Sequence, residues 1–382
     1  MKSRIIQVLD RWVTIKGLAT YLCFFARLVV LARKPFIIGV TGSVGKTTTI
    51  EMIAAILKQP EVKSLIGFVG NTQNNMNDDL GLPATLLLFG DLKEGYVPSR
   101  LITACIAPFR ALCIVAGIVH YPKVFVLEYG AGWGGHIAKL AQLARPDIAV
   151  VTTVGAGHLD RLKTPQGVAQ EKIALVRAVP ASGLVVLGNE HEFVTQFVQA
   201  AQSPAELIDG RGAKFSENAA RVICRHLNVP ESLVNAGLRS FTPPKGRLNV
   251  TRYDRLILID DSYNANPLSM KFGLDVLAKT AEIGNRRVAV LGFMAELGEQ
   301  EVDYHKEIGA YARNRAELLI GVGELAKHYD ADYWFENSEA CAEQIRDIVH
   351  SRDCILVKGS SSSRTKKIVE RLNDSIWGMA PQ

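Results

Sequence analysis

The feature that most constrains this chain is a glycine turn placed between a buried strand and a helix. The apolar run 36–40 leads into Thr41, Gly42, Ser43, Val44, Gly45, Lys46, Thr47 and Thr48, and a helical pattern follows from Ile50. Glycines let backbone N–H groups approach phosphate oxygens, a lysine neutralises the outer phosphates and a hydroxyl reaches Mg²⁺. The strand, turn and helix therefore predict an α/β fold with a phosphate-binding loop.

The spacing of this loop departs from the common G-x-x-x-x-G-K-[ST] pattern by one residue. That pattern places glycine at position 40, where Val40 stands, and Gly39 lies one place early. Lys46 and Thr47 nonetheless follow Gly45 directly at a predicted helix start, which is where anions bind. The pattern favours a shortened phosphate loop over a turn that binds nothing.

The positive charge of the chain belongs to its N-terminal arm. The net charge is +6, and residues 1–35 hold seven Lys or Arg against Asp10 alone, so the remaining chain is neutral. A nucleic-acid partner is disfavoured, because it calls for a basic face over a whole domain. The six cysteines form no C-x-x-C pair and no cleavable signal pattern is present, which favours a reducing, cytoplasmic location.

Residues 1–34 and 101–119 share an unusual mixture of apolar and basic residues. Each apolar stretch is interrupted by an arginine, Arg27 in the first and Arg110 in the second. Three interpretations stay open: the segments pack on each other or on the body, they contact the inner face of a membrane peripherally, or one of them spans it, which needs roughly 20 apolar residues.

From residue 36 onward, short apolar strands alternate with amphipathic helices, which predicts parallel sheets covered by helices. The predicted strands are 36–40, 123–128, 147–153, 183–187, 256–260, 287–291, 317–321 and 354–357. The predicted helices include 47–58, 134–144, 167–179, 217–227, 267–280, 303–315, 338–350 and 363–373. Paired prolines and a glycine in 241–246 mark a linker. We expect a helical arm (1–35), a central P-loop parallel-sheet ATPase domain (36–244) and a C-terminal Rossmann-like α/β domain (245–382).

Three further polar residues lie near the predicted strand ends. Glu128 ends an apolar run, so its carboxylate should emerge beside Lys46 and hold a metal. His158 follows the next strand and should reach the same edge. Lys172 lies in a predicted helix, and its spacing alone indicates a solvated lysine.

The second domain opens with Gly246 and Arg247 and then shows a strand that ends in carboxylates. The run Asp260-Asp261-Ser262-Tyr263-Asn264-Ala265-Asn266-Pro267 combines acids, amides and a helix-starting proline. A helix cap explains only Asn266 and Pro267. The whole run favours hydrogen bonding to a ribose or base.

Taken together, these motifs resemble the Mur ligase family. The matching segments are Gly42–Thr48, 70–75 with 81–83, Glu128, 145–149 leading to His158, Lys172, 246–248, 260–269, 290–298 to His305, and 358–360. The Asp-Ser-Tyr-Asn-Ala-Asn-Pro run points to the branch that adds D-alanyl-D-alanine to a UDP-N-acetylmuramoyl-tripeptide.

The resemblance implies an ATP-dependent amide ligase of cell-wall precursor synthesis that works through an acyl phosphate. Lys46 and the amides of Gly42–Thr48 would hold the phosphates of ATP, and Thr47 and Glu128 would hold Mg²⁺. His158 and a carbamylated Lys172 would serve a second Mg²⁺, and Arg247 would reach the phosphates. Asp261 and Asn264 would face the nucleotide, and Asn74 and Asn75 would lie in the loop that approaches it.

Two departures from the family leave the acceptor open. We expect the usual N-terminal domain that binds the UDP-sugar to have no counterpart, and His136 stands where an acidic residue is common. The expected partners are therefore small peptide or sugar-peptide substrates. The alternatives are a similar ligase with a lipid-linked, polyglutamate or pseudomurein acceptor, or a non-catalytic nucleotide-binding scaffold at the membrane.

Overall fold

A computed structural model of the chain describes residues 15–73, 76–89, 100–253 and 256–374. The chain divides into two compact units. The first comprises the residues up to Val154 together with Gln166–Phe241, and the second comprises Gly155–Pro165 and the residues from Thr242 onward. Asn74 and Asn75 lie outside the described residues, as do positions 1–14 of the basic arm.

The first unit is built on a parallel sheet of six strands formed by the described residues. The strands are β1 (Phe36–Thr41), β2 (Val69–Asn71), β3 (Val124–Glu128), β4 (Ile148–Val151), β5 (Leu184–Gly188) and β6 (Ala205–Ile208). Their order is β2-β3-β1-β4-β5-β6, and every neighbouring pair is parallel. Strands β2 and β3 lie on one side of β1, and the later strands β4, β5 and β6 lie on its other side. This reversal of strand order creates a crevice at the carboxyl ends, where open α/β sheets bind ligands.

Helices cover this sheet and supply its core. They span Ile15–Arg33, Lys46–Leu57, Pro60–Ile66, Gly81–Leu86, Arg100–Val115, His136–Leu143, Pro165–Ala178, Val194–Ala200, Ala213–His226 and Glu231–Ser240. Ile53, Ile56 and Leu57 of the second of these are fully buried against Val40 and Val126 of the strands. Burial of such side chains contributes about 1.5–3 kcal/mol each, so this packing fixes the helix that follows the glycine turn.

The basic, apolar segments identified in the sequence form two helices of this unit. Helix Ile15–Arg33 packs against helix Arg100–Val115, and it also contacts Gly81–Leu86 and His136–Leu143. The expectation that the segments pack on each other and on the body is thus met for their described parts. Within the part of the chain that the structure describes, no helix combines the length and apolar character that crossing a membrane requires.

The second unit contains a six-stranded sheet among the described residues. Its strands are β7 (Asn249–Tyr253), β8 (Leu256–Asp261), β9 (Arg286–Gly292), β10 (Leu318–Val322), β11 (Tyr333–Phe335) and β12 (Asp353–Lys358). The order is β11-β10-β9-β12-β8-β7, and β7 pairs antiparallel with β8 whereas the other pairs are parallel. The sheet is therefore mixed, because β7 is an edge strand joined to β8 by a short connection.

Two helices among the described residues of the second unit start at an asparagine side-chain cap, Asn266 in one and Asn337 in the other. The α-helices of this unit span Leu159–Leu162, Pro267–Thr280, Glu301–Arg313, Ser338–Ile348 and Lys366–Asn373, and short 3₁₀ helices span Gly298–Gln300, Glu324–Tyr329 and Ser361–Ser363. Asn266 and Ser269 form a reciprocal capping box around Pro267. Because this box satisfies backbone donors at the helix start, it fixes where the polar run after β8 turns into helix.

Candidate active site

The first unit brings three polar segments together at the carboxyl end of β1. In the parallel register, Val40 lies opposite Glu128 of β3, and Thr41 lies opposite Val151 of β4. The glycine turn therefore leaves the sheet between the ends of two neighbouring strands. Glu128 reaches the edge predicted for it from the sequence.

Two glycines give the turn its shape. Gly42 has a φ of 149°, and a Cβ built on it would lie 1.8 Å from Thr152 Oγ1. Gly45 has a φ of 87° and caps the helix Lys46–Leu57. A side chain at Gly42 would collide with Thr152, and one at Gly45 would strain the backbone, so both positions require glycine.

The turn is also held by the segment that follows β4. Ser43 N donates to Thr153 O at 2.8 Å, Val44 N donates to Thr153 Oγ1 at 3.0 Å, and Thr152 Oγ1 donates to Val44 O at 2.5 Å. These bonds fix the loop before any ligand binds. Neither threonine has a role predicted from the sequence, because both lie inside the predicted strand 147–153, whereas β4 ends at Val151.

Glu128 is the centre of a buried polar cluster. Its side chain is only 4% exposed, and Thr47 Oγ1 donates to Oε2 at 3.0 Å while Asn77 Nδ2 donates to Oε1 at 2.8 Å. Lys46 Nζ lies 4.0 Å from Oε1 and donates to Gly42 O at 2.9 Å. The cluster places a lysine cation, a hydroxyl and a carboxylate at one helix N-terminus.

Lys172 belongs to the same cluster, contrary to its interpretation from spacing alone as a solvated lysine. It is 1% exposed, and its pKa is lowered to about 7. Burial is the main cause of the lowered pKa, and the nearby charge of Lys46 adds to it, whereas Glu171 and Glu128 oppose it. An amine with such a pKa is about half neutral near pH 7, and the neutral form can act as a nucleophile.

Glu171, which precedes Lys172 in the sequence, is a buried carboxylate bonded to the backbone at the start of another helix. It is 6% exposed and accepts hydrogen bonds from Gly135 N at 2.6 Å and Ile137 N at 2.5 Å. Its carboxylate therefore caps the helix His136–Leu143. Because two backbone donors satisfy Glu171, its burial does not depend on Lys172.

The first residue of that helix is the histidine that departs from the family pattern. His136 stacks on Trp133 with ring centroids 3.8 Å apart, and its Nδ1 accepts from Gly132 N at 3.0 Å. Burial lowers the pKa of His136, although Asp79 opposes this effect. The ring is thus packed at the start of the helix and leaves Trp133 42% exposed.

The donor set of the first unit fits a nucleotide and a magnesium ion. The start of helix Lys46–Leu57 presents backbone N–H groups and positive charge toward the turn, which suits phosphate. Thr47 and Glu128 offer the oxygen ligands that Mg²⁺ prefers. Among the described residues, no group of three or more His, Cys, Asp or Glu side chains forms a metal cage. A magnesium ion held by so few protein ligands usually completes its coordination with substrate phosphates and water.

The second unit holds His158. This residue follows β4 in sequence, within the segment Gly155–Pro165 that clusters with the second unit. It has a φ of 57°, and its Nδ1 lies 2.6 Å from Glu296 Oε2. This hydrogen bond lowers the pKa of Glu296. The bond orients the imidazole and leaves Nε2 as the nitrogen able to bind a ligand.

Arg247 lies at the start of the second unit and stacks on Tyr263. The guanidinium carbon is 3.9 Å from the centroid of the tyrosine ring. Gly246, with a φ of 73°, accepts a hydrogen bond from Tyr263 N at 3.1 Å. The turn and the aromatic ring together orient a planar cation that can bind phosphate in a bidentate manner.

Asp261 and Asn264 meet the end of β12. In the register of β8 and β12, Asp261 lies opposite Lys358, and Lys358 Nζ donates to Asp261 Oδ2 at 2.5 Å and to Asn264 O at 2.9 Å. Asn264 Oδ1 accepts from Ala265 N at 2.9 Å. These contacts give Asp261 a structural partner that the sequence analysis had not assigned to it.

Of the residues predicted to form the site, the first unit brings together Gly42–Thr48, Glu128 and Lys172, and the second unit holds His158, Arg247, Asp261 and Asn264. Asn74 lies outside the described residues. Sequence reasoning missed Asn77 and Thr72, whose hydroxyl accepts from Glu128 N at 2.9 Å. Both lie in the polar run 71–79, and its richness in asparagine was the available signal.

Two family models match the chain. The Mur ligase middle domain matches residues 40–97 and 115–248, and the Mur ligase, glutamate ligase domain matches residues 246–361. Together they cover the glycine turn, Glu128, Lys172, Arg247 and the run after β8.

Named relatives agree with these models. The UDP-N-acetylmuramoyl-tripeptide–D-alanyl-D-alanine ligase of Mycobacterium tuberculosis is 31% identical over 88% of this chain and 72% of its own length. The enzyme of that name from Bacillus subtilis is 25% identical over 89% of this chain and 76% of its own. The crystal structure of MurF ligase from Thermotoga maritima in complex with ADP has a TM-score of 0.74 at 21% identity, covering 95% of this chain and 84% of that one. The chain belongs to the Mur ligase family.

Proposed function

We propose that this protein is an ATP-dependent ligase that joins D-alanyl-D-alanine to a UDP-N-acetylmuramoyl-tripeptide in peptidoglycan precursor synthesis. The proposal is supported by the activity for which its relatives are named, since the chain matches the Mur ligase middle and C-terminal domain families. The observation that carries it is the cluster of Lys46, Thr47 and Glu128 at one helix N-terminus, with the buried Lys172 close enough to feel the charges of Lys46 and Glu128.

The reaction has two steps. In the first, an oxygen of the acceptor carboxylate attacks the γ-phosphorus of ATP, so that an acyl phosphate forms and ADP leaves. In the second, the amine of the incoming dipeptide attacks the acyl carbon, an amide bond forms, and inorganic phosphate leaves with the amine proton transferred to a base. Such phosphoryl transfer depends mainly on positioning and charge neutralisation.

The first unit supplies groups for the first step. The turn Gly42–Thr48 is fixed by Thr152 and Thr153, so its amides are oriented for phosphate before ATP arrives. Lys46 neutralises the outer phosphates. We assign Thr47 and Glu128 to a Mg²⁺ ion, which supplies charge neutralisation between the phosphates when bound.

Lys172 has the chemistry for carbamylation. Its neutral amine can add CO₂ and lose a proton, which converts a buried cation into a carboxylate-like anion. A lysine with a pKa of about 7 is neutral often enough for this reaction, whereas an ordinary lysine is not. We propose that the carbamate and His158 serve a second Mg²⁺, and that Glu296 orients His158 for that role.

We assign Arg247 to the transferring phosphoryl group, and Asp261 and Asn264 to the nucleotide. Arg247 is preorganised by its stack on Tyr263. Asp261 is held by Lys358, so this pair would present a fixed polar surface at the end of β8.

The direct test measures ATP-dependent product formation. The full chain is incubated with ATP, Mg²⁺, UDP-N-acetylmuramoyl-tripeptide and D-alanyl-D-alanine, and phosphate release is followed together with the mass of the peptide product. Lys46→Met should abolish both, whereas Lys214→Ala, which removes a lysine that is 63% exposed, should not. Failure of the native chain to release phosphate or form the pentapeptide would refute the assigned substrates.

The modification of Lys172 has its own test. Intact-mass or peptide analysis under CO₂ should show the mass of one added CO₂ on the peptide containing Lys172, and the signal should disappear in Lys172→Met. If the native protein shows no such adduct at saturating bicarbonate, the carbamate proposal is wrong while the ligase proposal stands.

We place the reaction in the cytoplasm, where ATP and small nucleotide-linked peptide substrates are available. The six cysteines, all within the described residues, are free thiols, which suits a reducing compartment.

A further inference from the structure

We propose that the helices Ile15–Arg33 and Arg100–Val115 form a peripheral binding surface for a lipid bilayer with anionic head groups. We call the outward sides of these helices, with the exposed residue Ile118, the two-helix surface. The proposal concerns where the protein resides and is independent of the ligase activity.

The first helix presents an apolar row to solvent. Tyr21, Phe24, Leu28 and Leu31 recur at helical spacing and are 40%, 60%, 43% and 62% exposed. The opposite side of the same helix contains Leu22, Ala26 and Val29, all fully buried. The helix is therefore apolar on both sides, although only one side is covered by the described protein.

The second helix repeats this arrangement. Ile106, Phe109, Leu112 and Val115 are 37%, 69%, 63% and 42% exposed, and Ile118 just beyond the helix is 75% exposed. The inward residues of this helix, Ala107 and Ile114 among them, are buried. Core packing cannot be the reason for the outward residues.

The two rows lie on neighbouring helices. The helices contact each other, and a Cβ built on Gly117 would lie 3.7 Å from Arg33 Nη1, so their carboxyl ends are adjacent. Among the described residues, nine of the eighteen large apolar side chains that are strongly exposed belong to this surface. Such a concentration marks an interaction site, because isolated exposed apolar residues are normally scattered.

The charge of the surface identifies the partner. Residues 15–34 and 100–123 contain seven Lys or Arg and no Asp or Glu. Lys16, Arg27, Arg33 and Lys34 are all exposed along or just after the first helix. An apolar face flanked by cations, with aromatic side chains among its members, matches the acyl boundary and anionic head groups of a bilayer.

The same charge argues against a second copy of the chain as the occupant. Two identical basic surfaces placed face to face would repel each other, whereas anionic lipid neutralises the charge and covers the apolar rows at once. The bilayer is thus the occupant that satisfies both properties of the surface.

Vesicle flotation of the full chain tests the proposal. We expect binding to vesicles of phosphatidylcholine mixed with phosphatidylglycerol and much weaker binding to phosphatidylcholine alone. The double variant Phe24→Glu/Leu31→Glu should weaken binding by at least about tenfold, since it places charge where apolar contact forms. Arg27→Gln/Lys34→Gln should weaken binding to the mixed vesicles by roughly 20- to 30-fold, at about 1 kcal/mol for each lost cation.

A matched variant controls for exposed apolar residues in general. Val198→Glu/Ile283→Glu changes two exposed apolar positions elsewhere and should bind vesicles like the native chain. All variants should keep the native melting temperature and the native rate of phosphate release with soluble substrates. The proposal is overturned if the native chain fails to float with mixed vesicles, or if both acidic double variants reduce binding equally. It is also overturned if the chain is a dimer that Phe24→Glu/Leu31→Glu dissociates and neither form binds lipid.

Discussion

Thr47 Oγ1 donates a 3.0 Å hydrogen bond to Glu128 Oε2, which joins the first turn of a helix to the end of a neighbouring strand. The bond orients the hydroxyl lone pairs and the carboxylate as a pair of oxygen ligands. In the absence of metal, the carboxylate is kept in place by this hydroxyl, by Asn77 and by the nearby Lys46.

This relationship predicts a difference between two substitutions of Thr47. Thr47→Ser keeps the hydroxyl and should retain most activity, whereas Thr47→Val removes it and should lower kcat by roughly 10²-fold, as the loss of a preorganised polar group commonly does. Raising the Mg²⁺ concentration should partly restore Thr47→Val, because a metal ligand has been weakened. Steady-state phosphate release across a Mg²⁺ titration measures this, and equal kcat values for Ser and Val would show that the hydroxyl is not a ligand.

Lys172 provides a prediction about stability. Its pKa falls from 10.5 in the unfolded chain to about 7 in the folded one, so folding must release a proton or bury a charge. Lys172→Met should therefore stabilise the protein while abolishing activity. The gain should be largest below about pH 7 and should vanish as the pH rises toward 10.5, because both states of the native lysine are then neutral. Its ceiling is about 5 kcal/mol.

Thermal midpoints in CO₂-depleted buffer check this pH dependence. The native chain and Lys172→Met are compared from mildly acidic to alkaline pH, and the difference between them should shrink as the pH rises. A native chain that is more stable than Lys172→Met at neutral pH would contradict the lowered pKa.

Lys358 is the matched contrast, because it is equally buried but paired. Both lysines are 1% exposed, and Lys358 Nζ lies 2.5 Å from Asp261 Oδ2. Lys358→Met should destabilise the second unit by up to about 3–5 kcal/mol, since it leaves the Asp261 side chain, only 13% exposed, without its cation. The double variant Lys358→Met/Asp261→Asn should recover part of this loss. Denaturant unfolding of the native chain and of both variants measures it, and a neutral effect of Lys358→Met would show that the pair adds no stability.

The contrast between these lysines explains how far the sequence could predict the site. The turn, β1 and β3 have strong local signals, so Lys46 and Glu128 could be placed at one sheet edge from their apolar runs. The eight predicted strands all coincide with observed strands to within a few residues. The sequence does not predict β2 and β11, because each has only three residues and so shows no hydrophobic periodicity. It does not predict β6 and β7 because both are partly exposed strands at a sheet edge.

Burial is what the sequence could not provide. Helical spacing predicts a solvent-exposed Lys172, because two adjacent charged residues are rarely both buried in a core. In the structure, Glu171 is buried because its carboxylate caps a neighbouring helix, and Lys172 beside it is buried as well. The hydrogen bond from Asn77 to Glu128 could not be predicted from the sequence either, because it depends on the fold. Several asparagines stand in the run 71–77, and only the fold selects Asn77 for the carboxylate.

Arg247 gives the last prediction, which separates a positioning role of Tyr263 from a merely structural one. The ring holds the guanidinium 3.9 Å from its centroid, so Tyr263→Phe should retain the stack and the activity, whereas Tyr263→Leu should lower kcat by roughly tenfold or more because the cation loses its orientation. Arg247→Lys should lower kcat further, since an ammonium cannot bind phosphate in a bidentate manner. In Arg247→Lys, the added change Tyr263→Leu should have little extra effect, because the ring acts through the arginine. Phosphate-release kinetics of the native chain, Tyr263→Leu, Arg247→Lys and the double variant form a double-mutant cycle, and independent losses from the two positions would show that Tyr263 does not act through Arg247.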